Sequence, residues 1–133
     1  MIISPAHNIA RLAGTLAHAD TGIGNSKLYF YATTQPGGGA DPGGDPLVVV
    51  ILGKPCGVIS NGVLTLSQAD PSGDLITNGG AALWARHVNG NGDWMTDGSV
   101  SDSAGTGDFK LSGTTGTMLY AGGRALIGVC TLA

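Results

Sequence analysis

The segment Asn89–Asp93 has oxygen-bearing side chains at alternate positions, as in the first half of a calcium-binding loop. An EF-hand loop continues with a glycine after the third ligand and ends on a bidentate glutamate at its twelfth position. Here those positions are held by Trp94 and Val100, which cannot complete the site. Alternating Asn and Gly are also typical of a tight hairpin. We therefore predict a turn here, without a bound metal ion.

A second glycine-rich segment, Gly22–Lys27, has some features of a phosphate-binding loop. A true P-loop follows a strand and opens a helix, and it carries the pattern G-x-x-x-x-G-K-[ST]. This segment instead follows a predicted helix and enters a predicted strand, so the order of elements is reversed. We predict that it binds no phosphate and no nucleotide cofactor.

Three histidines, His7, His18 and His87, are the available general bases. His7 and His18 lie on one predicted helix about 16 Å apart, too far to share a metal, and we expect both on the surface. The G-x-S-x-G nucleophile motif is absent. The aspartates stand in turn-like contexts, where carboxylates commonly accept backbone hydrogen bonds. We predict a protein that is not an enzyme and has no catalytic residue, metal or cofactor.

The two cysteines, Cys56 and Cys130, both lie in apolar stretches. Free cysteine is among the most buried residue types, so two buried thiols are the expected arrangement. The spacing of the two residues neither requires nor excludes a disulfide.

The composition favours strands and turns over helices. The 133 residues include 24 glycines, charged residues make up 11%, and all nine acidic residues are aspartate. The net charge is −3 and the six cations are scattered along the chain, which argues against a nucleic-acid partner. The longest aliphatic run, Leu47–Leu52, is far shorter than a membrane span. This small number of charged residues is consistent with a surface that other protein chains cover, or with a surface that is polar but uncharged.

The N-terminus predicts an apolar arm, Met1–Ile3, followed by a helix. Ser4 is suited to cap the helix and Pro5 to occupy its first position. Apolar residues then recur on one helical face as far as Ala17, and the helix ends near Asp20. The members of this face are Ile9, Leu12, Ala13, Leu16 and Ala17.

The remainder of the chain predicts seven or eight short strands separated by turns. Strands are expected at 27–33, 47–52, 63–66, 81–88, 111–119 and 124–131, and another begins at Trp94. The 47–52 strand has a short extension at 56–59. Turns are expected at Asn61–Gly62, Asp70–Gly73 and Asp97–Gly98. This spacing is typical of a β-sandwich or jelly roll. We therefore predict one mainly β domain over residues 1–133. It would comprise an N-terminal arm and short helix over 1–20 and a mobile Pro/Gly loop over 35–46.

The order of several segments resembles a family of small tailed-bacteriophage virion structural proteins. The segments are G-x-G-x-S-K-L-x-x-Y at Gly22–Tyr31, A-x-W-x-R at Ala82–Arg86, D-G-x-V at Asp97–Val100 and G-D-h-x-L at Gly107–Leu111, where h is hydrophobic. The resemblance implies a non-enzymatic virion component, assembled in the host cytoplasm. Capsid decoration or cement proteins of this size commonly have β-sandwich or jelly-roll folds. The expected partner is then the phage major capsid protein, with a homo-oligomer bound to the shell and no nucleic acid or membrane involved.

Two segments are the candidate contact elements, the arm and the Pro/Gly loop. The candidate interface residues are Met1, Ile2, Ile3, Pro36, Gly37, Asp41, Pro42 and Trp94. A tail or baseplate location is an alternative, because none of these motifs distinguishes head from tail. A second alternative is a glycan-binding β-sandwich module that uses Trp84 and Trp94 as stacking platforms.

Overall fold

A computed structural model describes residues 1–132 of the chain. The helix α1 spans Pro5–Ala19, and the Ser4 side chain caps it by accepting a hydrogen bond from the His7 N–H at 3.1 Å. The strands are β1 Lys27–Tyr31, β2 Val48–Ser60, β3 Val63–Gln68, β4 Asp74–Leu75, β5 Gly80–Ala81, β6 Trp84–Val88, β7 Trp94–Asp102, β8 Phe109–Ser112, β9 Met118–Leu119, β10 Arg124–Ile127 and β11 Thr131–Leu132.

Nine strands form one sheet in the order β11-β3-β2-β1-β6-β7-β8-β10-β4, and β5 and β9 form a separate pair. The β7–β8 pair is parallel and the other pairs are antiparallel. The sheet curls because the segment between β10 and β11 contacts both of its flanks. The Gly128 N–H donates to Lys110 O of β8 at 2.7 Å, and the Leu66 N–H of β3 donates to Cys130 O at 2.9 Å. The predicted mainly β, sandwich-like fold with one short N-terminal helix is confirmed.

The core lies inside this curl. On β1, Leu28 and Phe30 are fully buried, whereas Tyr29 and Tyr31 point to the opposite face, as the alternation predicts. The core residues of β1 and β2 meet Phe109, Leu111 and others from the far side of the sheet. The inner face of β6 follows the same alternation, and its register pairs Leu28 with His87.

The face on which the helix packs only partly overlaps the predicted one, since Leu12 is buried and Leu16 packs against the core. Leu12 and Ala19 are buried, whereas Ile9, Ala13 and Ala17 are exposed. A polar contact accounts for the rotation, because Asn8 Nδ2 donates to Gly62 O in the β2–β3 turn at 2.9 Å. This bond holds the side of α1 that carries positions 8, 12 and 19 toward the sheet, and three of the five residues of the predicted apolar face are left exposed.

Several local predictions were wrong. The predicted 81–88 strand is divided, since Ala82 and Leu83 separate β5 from β6. Asp97–Gly98 is not a turn but the middle of β7, since Asp97 pairs with Arg86 across the sheet. The predicted 111–119 strand is divided into β8 and β9, because Gly113 and Gly116 have φ angles of 128° and 65°, which a continuous strand does not contain. The predicted C-terminal strand is likewise divided into β10 and β11.

Candidate protein-interaction surface

The N-terminal end of the molecule exposes a group of apolar side chains. Met1 and Ile2 are fully exposed and Ile9 is 51% exposed. The alanines of the outer side of α1, Ala6, Ala10, Ala13 and Ala17, are exposed as well. The helix carries one arginine, two histidines and no acidic residue. We call Met1, Ile2, Ile9 and these four alanines the N-terminal face.

Next to this face lies an open groove of about 630 Å³. Its lining contains no charged side chain and consists of Ile3, Ser4, Pro5, Asn8, Ile9, Asn61 and Gly62, which together we call the N-terminal groove. The predicted contact residue Ile3 is half-buried in its wall. The arm therefore meets solvent on one side and an unfilled apolar concavity on the other, an arrangement typical of a protein-binding surface.

The Pro/Gly loop over residues 35–46, in contrast, lies against the sheet of its own chain. Arg86 Nη2 donates to Ala40 O at 2.7 Å, the Gly39 N–H donates to Asp97 Oδ2 at 3.1 Å, and Thr33 Oγ1 donates to Pro42 O at 2.7 Å. Among its predicted contact residues, Gly37 and Asp41 are exposed, and Pro36 and Pro42 are half-buried. The predicted mobility and partner contact of this loop stay predictions.

The loop covers a cluster of aromatic and charged side chains on the outer face of β1, β6 and β7. Arg86 forms a two-pronged ion pair with Asp97, with Nε to Oδ1 at 2.8 Å and Nη2 to Oδ2 at 3.0 Å. Trp84 stacks on Tyr31 with ring centroids 4.6 Å apart, and the Arg86 guanidinium carbon lies 5.3 Å from the Trp84 ring. We call Tyr31, Trp84, Arg86 and Asp97 the Trp84 cluster.

The ion pair fixes the charge state of this cluster. Burial alone would raise the pKa of Asp97, but hydrogen bonds from Arg86 and from the Gly39 N–H outweigh burial and lower it. The hydrogen bonds to Asp97 outweigh desolvation for Arg86 as well and raise the pKa of its guanidinium. Both side chains are therefore charged at neutral pH, and both are already satisfied within the chain.

The two tryptophans do not form a shared platform for a sugar. Trp84 is fully buried and its Nε1 donates to Thr33 Oγ1 at 3.1 Å. Trp94 is 49% exposed, but Gly38 and Gly39 lie against its ring, and a Cβ added to them would approach the ring to 3.0 and 2.9 Å. The Trp84–Trp94 stacking surface that the glycan hypothesis needs is therefore not present in this arrangement.

A serine–histidine pair, which the sequence analysis did not identify, lies inside the fold. Ser26 and His87 are buried, and Ser26 Oγ lies 2.6 Å from His87 Nε2. The Ser26 hydroxyl has one hydrogen and donates it to Val88 O at 2.8 Å, so the histidine ring must donate from Nε2. The only available signal was positional, since Ser26 directly precedes β1 and His87 pairs with Leu28 of that strand.

This pairing leaves His87 Nδ1 buried as a bare acceptor with no hydrogen-bond partner within residues 1–132. Burial lowers the pKa of His87 to about 4, so the ring is neutral at pH 7. Neither Ser26 nor His87 reaches the surface, so the pair supports the fold and offers no open nucleophile. The other two histidines, His7 and His18, are exposed on α1 as predicted.

The two cysteines are buried free thiols, as expected. Burial, reinforced by nearby Asp20, raises the pKa of Cys56 to about 11. Burial also raises the pKa of Cys130, whose sulfur accepts a hydrogen bond from the Lys110 N–H at 3.2 Å. Both thiols are therefore protonated at neutral pH, and protonated buried thiols are poor nucleophiles.

The Asn89–Asp93 segment is the hairpin turn between β6 and β7, as predicted. The buried Asn89 Oδ1 accepts hydrogen bonds from the Asn91 and Asp93 N–H groups at 3.0 and 2.9 Å, so this oxygen holds the turn. Across residues 1–132, no three potential metal-ligand side chains are grouped together. In the same part of the chain, no helix is both long and apolar enough to cross a membrane.

No protein-family model, curated protein or solved structure matches the chain. The surfaces described above define a small β-rich chain in which Arg86, Asp97, Ser26 and His87 are bonded within the fold and the apolar N-terminal end is exposed.

Proposed function

We propose that this chain is a non-enzymatic structural protein of a tailed-bacteriophage virion that binds the head shell as a decoration or cement protein. The observation that carries the proposal is the N-terminal face, where fully exposed Met1 and Ile2 continue into the exposed apolar side of α1. Exposed apolar surface of this kind marks sites of contact with other proteins. The resemblance supplies the identity of the partner, the major capsid protein.

The arm is suited to bind first and to hold the contact. Its two terminal side chains lose little by leaving their present surroundings, because neither packs against the body of the protein. Burying one isoleucine side chain contributes roughly 2 kcal/mol, so two such residues can change affinity by more than a hundredfold. Neither the face nor the groove contains an acidic side chain, so contact with an apolar patch would desolvate little charge.

The arrangement of the remaining chemistry supports a structural role over a catalytic one. Arg86 is paired with Asp97, Ser26 is bonded to His87, and Cys56 is protonated and buried. These three groups, which could otherwise supply an anion-binding cation, a base or a nucleophile, are engaged in contacts within the fold.

Co-sedimentation with purified phage particles tests the proposal. The purified protein is mixed with empty heads and, in parallel, with isolated tails, and the bound protein is quantified in each pellet. We expect saturable binding to heads alone, with a fixed number of copies per shell. Binding to tails alone would transfer the protein to the tail or baseplate alternative. Binding to neither would overturn the proposal.

A truncated variant tests whether the arm makes the contact with the phage head. Removal of Ile2 and Ile3, so that Met1 directly precedes Ser4, should weaken head binding by at least about tenfold. Leu75→Asp is the matched control, because Leu75 is also exposed but lies on β4, in a different part of the sheet. Equal binding by the truncated variant and the control would contradict the assignment of the arm as the contact element.

A further inference from the structure

Four asparagines of this chain directly precede a glycine, at Asn61, Asn78, Asn89 and Asn91. In an Asn–Gly dipeptide the glycine nitrogen can attack the side-chain amide of the asparagine, because glycine has no side chain to obstruct a close approach. The attack closes a five-membered succinimide ring and releases ammonia. It requires a glycine N–H that is free to lose its proton and an asparagine amide that is free to turn toward it. The hydrogen bonds of the fold therefore decide which of the four sites can react.

The Asn89 site is the most strongly held of the four. Asn89 is buried, and its Oδ1 accepts hydrogen bonds from the Asn91 and Asp93 N–H groups. The Gly90 N–H, which would be the nucleophile, donates to Ala19 O at 3.1 Å. Both reacting groups are therefore engaged, and we expect this site to be protected as long as the protein is folded.

The Asn91 and Asn78 sites are each held at one of their two reacting groups. At Asn91 the nucleophile is engaged, since the Gly92 N–H donates to Asn89 O at 2.9 Å. At Asn78 the side-chain amide is engaged, since its Nδ2 donates to Pro46 O at 3.0 Å. At either site a hydrogen bond of the fold must break before the ring can close, which slows the reaction.

Asn61 differs from the other three asparagines. Within residues 1–132, neither its side-chain amide nor the Gly62 N–H takes part in a hydrogen bond. The two residues connect β2 to β3 with φ angles of 51° and 79°, as in a type I′ turn, and Asn61 is exposed to water. Asn8 holds this turn through Gly62 O at 2.9 Å, an atom that the ring closure does not use.

We propose that Asn61 is a modification site, at which the folded protein deamidates spontaneously in water. The Gly62 nitrogen forms a bond to Asn61 Cγ and loses its proton, and the side-chain nitrogen leaves as ammonia. A water molecule then opens the succinimide at one of its two carbonyl carbons and leaves either aspartate or isoaspartate at position 61. The reaction consumes only water, so the inference does not depend on the proposed binding to the phage head.

Either product places a carboxylate in the lining of the N-terminal groove. That lining contains no charged side chain before the reaction, and the net charge of the chain is −3. Ser4 and Pro5 at the start of α1 line the same groove, and a negative charge near a helix N-terminus is stabilised. Isoaspartate also adds a methylene to the main chain of the turn, which displaces the Gly62 carbonyl that Asn8 contacts. The charge and shape of the groove therefore depend on the age of the protein.

Peptide mapping by mass spectrometry tests the proposal on the full-length protein without any phage particle, so its failure is separate from a failure of head binding. The protein is incubated at mildly alkaline pH, folded and in parallel unfolded in urea, and amide-to-acid conversion is followed at each of the four sites. In the folded protein, conversion at Asn61 should be at least about tenfold faster than at the other three, because one hydrogen bond is equivalent to about that factor in rate. In urea the four sites should convert at similar rates, because no hydrogen bond of the fold protects them.

Two variants connect the modification to the charge of the protein. Asn61→Gln should stop the accumulation of an acidic species on ion-exchange chromatography, because closure of a six-membered ring is much slower. Asn91→Gln is the matched control at another exposed Asn–Gly site and should age as the wild type does. Circular dichroism verifies that both variants are folded, and the wild-type map tests the proposal without them. A folded wild type that stays unmodified at Asn61, or that converts faster at Asn78, Asn89 or Asn91, would overturn the proposal.

Discussion

The Trp84 cluster and the N-terminal face are two surface regions with opposite outcomes. The Trp84 cluster lies beneath the Pro/Gly loop, and the N-terminal face includes the end of the arm. Both the loop and the arm were predicted to be contact elements. The loop is attached to the cluster through Ala40, Gly39 and Pro42, and it covers the aromatic rings. The arm leaves Met1 and Ile2 in solvent beside an unfilled groove.

The difference lies in whether the sheet offers polar partners to the segment. Beneath the loop, Arg86, Asp97 and Thr33 satisfy the backbone groups of a segment that has no regular structure of its own. The polar side chains beside the arm, Ser4, Asn8 and Asn61, make no hydrogen bond to residues 1–3 in the described part of the chain, so the arm has little to fix it to the body of the protein. Satisfied polar groups close one surface, whereas unfilled apolar surface leaves the other available to a partner.

The largest expected effect on stability is at Trp84, in the cluster that the loop covers. Trp84→Ala removes a fully buried ring that stacks on Tyr31, and we expect a loss of about 4 kcal/mol in the free energy of unfolding, measured by urea denaturation. Trp94→Ala is the matched control, with an expected loss of about 1 kcal/mol because that ring is half exposed. Similar losses in the two variants would remove the distinction between a covered and an open tryptophan.

His87, on the face of β6 opposite the Trp84 cluster, predicts that the stability of the fold depends on pH. The pKa of His87 is lowered to about 4, so between pH 6.5 and 4 the unfolded chain takes up a proton that the folded chain does not. Stability is therefore fully present above pH 6.5 and falls as the pH drops to 4, by about 3 kcal/mol from this residue.

His87→Gln should remove that part of the slope, which denaturation curves at several pH values would measure. His18→Gln is the control, because it removes an exposed imidazole and leaves His87 in place. An unchanged slope in His87→Gln would show that His87 does not titrate differently in the folded and unfolded states.

Sequence periodicity predicted the features that depend on local pattern. It identified the capped helix, the inner face of β1 with Leu28 and Phe30, and the Asn61–Gly62 and Asn89–Asp93 turns. Each of these depends on neighbouring residues alone. The continuous β7 was missed, because the preference of Asp97–Gly98 for a turn is overridden by the cross-strand partner Arg86.

For the candidate surfaces as well, local features could be predicted from the sequence and long-range contacts could not. The arm was predicted to be a contact element from its position and composition, and it is exposed. The rotation of α1 was not predictable, since it depends on Asn8 reaching Gly62 across 54 positions of sequence. The Ser26–His87 pair depends on the strand register that places His87 opposite Leu28 of β1. Long-range contacts of this kind leave no periodic signal in the sequence.

A smaller effect is expected where the loop is attached. Asp97→Asn removes the negative charge opposite a largely buried Arg86 but keeps one acceptor oxygen, so we expect a loss of about 2 kcal/mol at neutral pH. The loop should also become more susceptible to a protease that cleaves before aspartate, at Asp41 and Asp45. Asp41→Asn, on an exposed residue, is the stability control. A loop that stays resistant in Asp97→Asn would mean that Asp97 does not anchor it.

The smallest effect on stability belongs to the arm, where the expected effect on binding is large. Ile2 is fully exposed and Ile3 is only half-buried, so removal of Ile2 and Ile3 should change the free energy of unfolding by about 1 kcal/mol or less. The measurement is a thermal melt of the truncated and full-length proteins under identical conditions. A loss of 2 kcal/mol or more would place the arm in the core, because only packed side chains contribute that much. The arm would then resemble the Pro/Gly loop, and the comparison between a closed and an open region would fail at its open end.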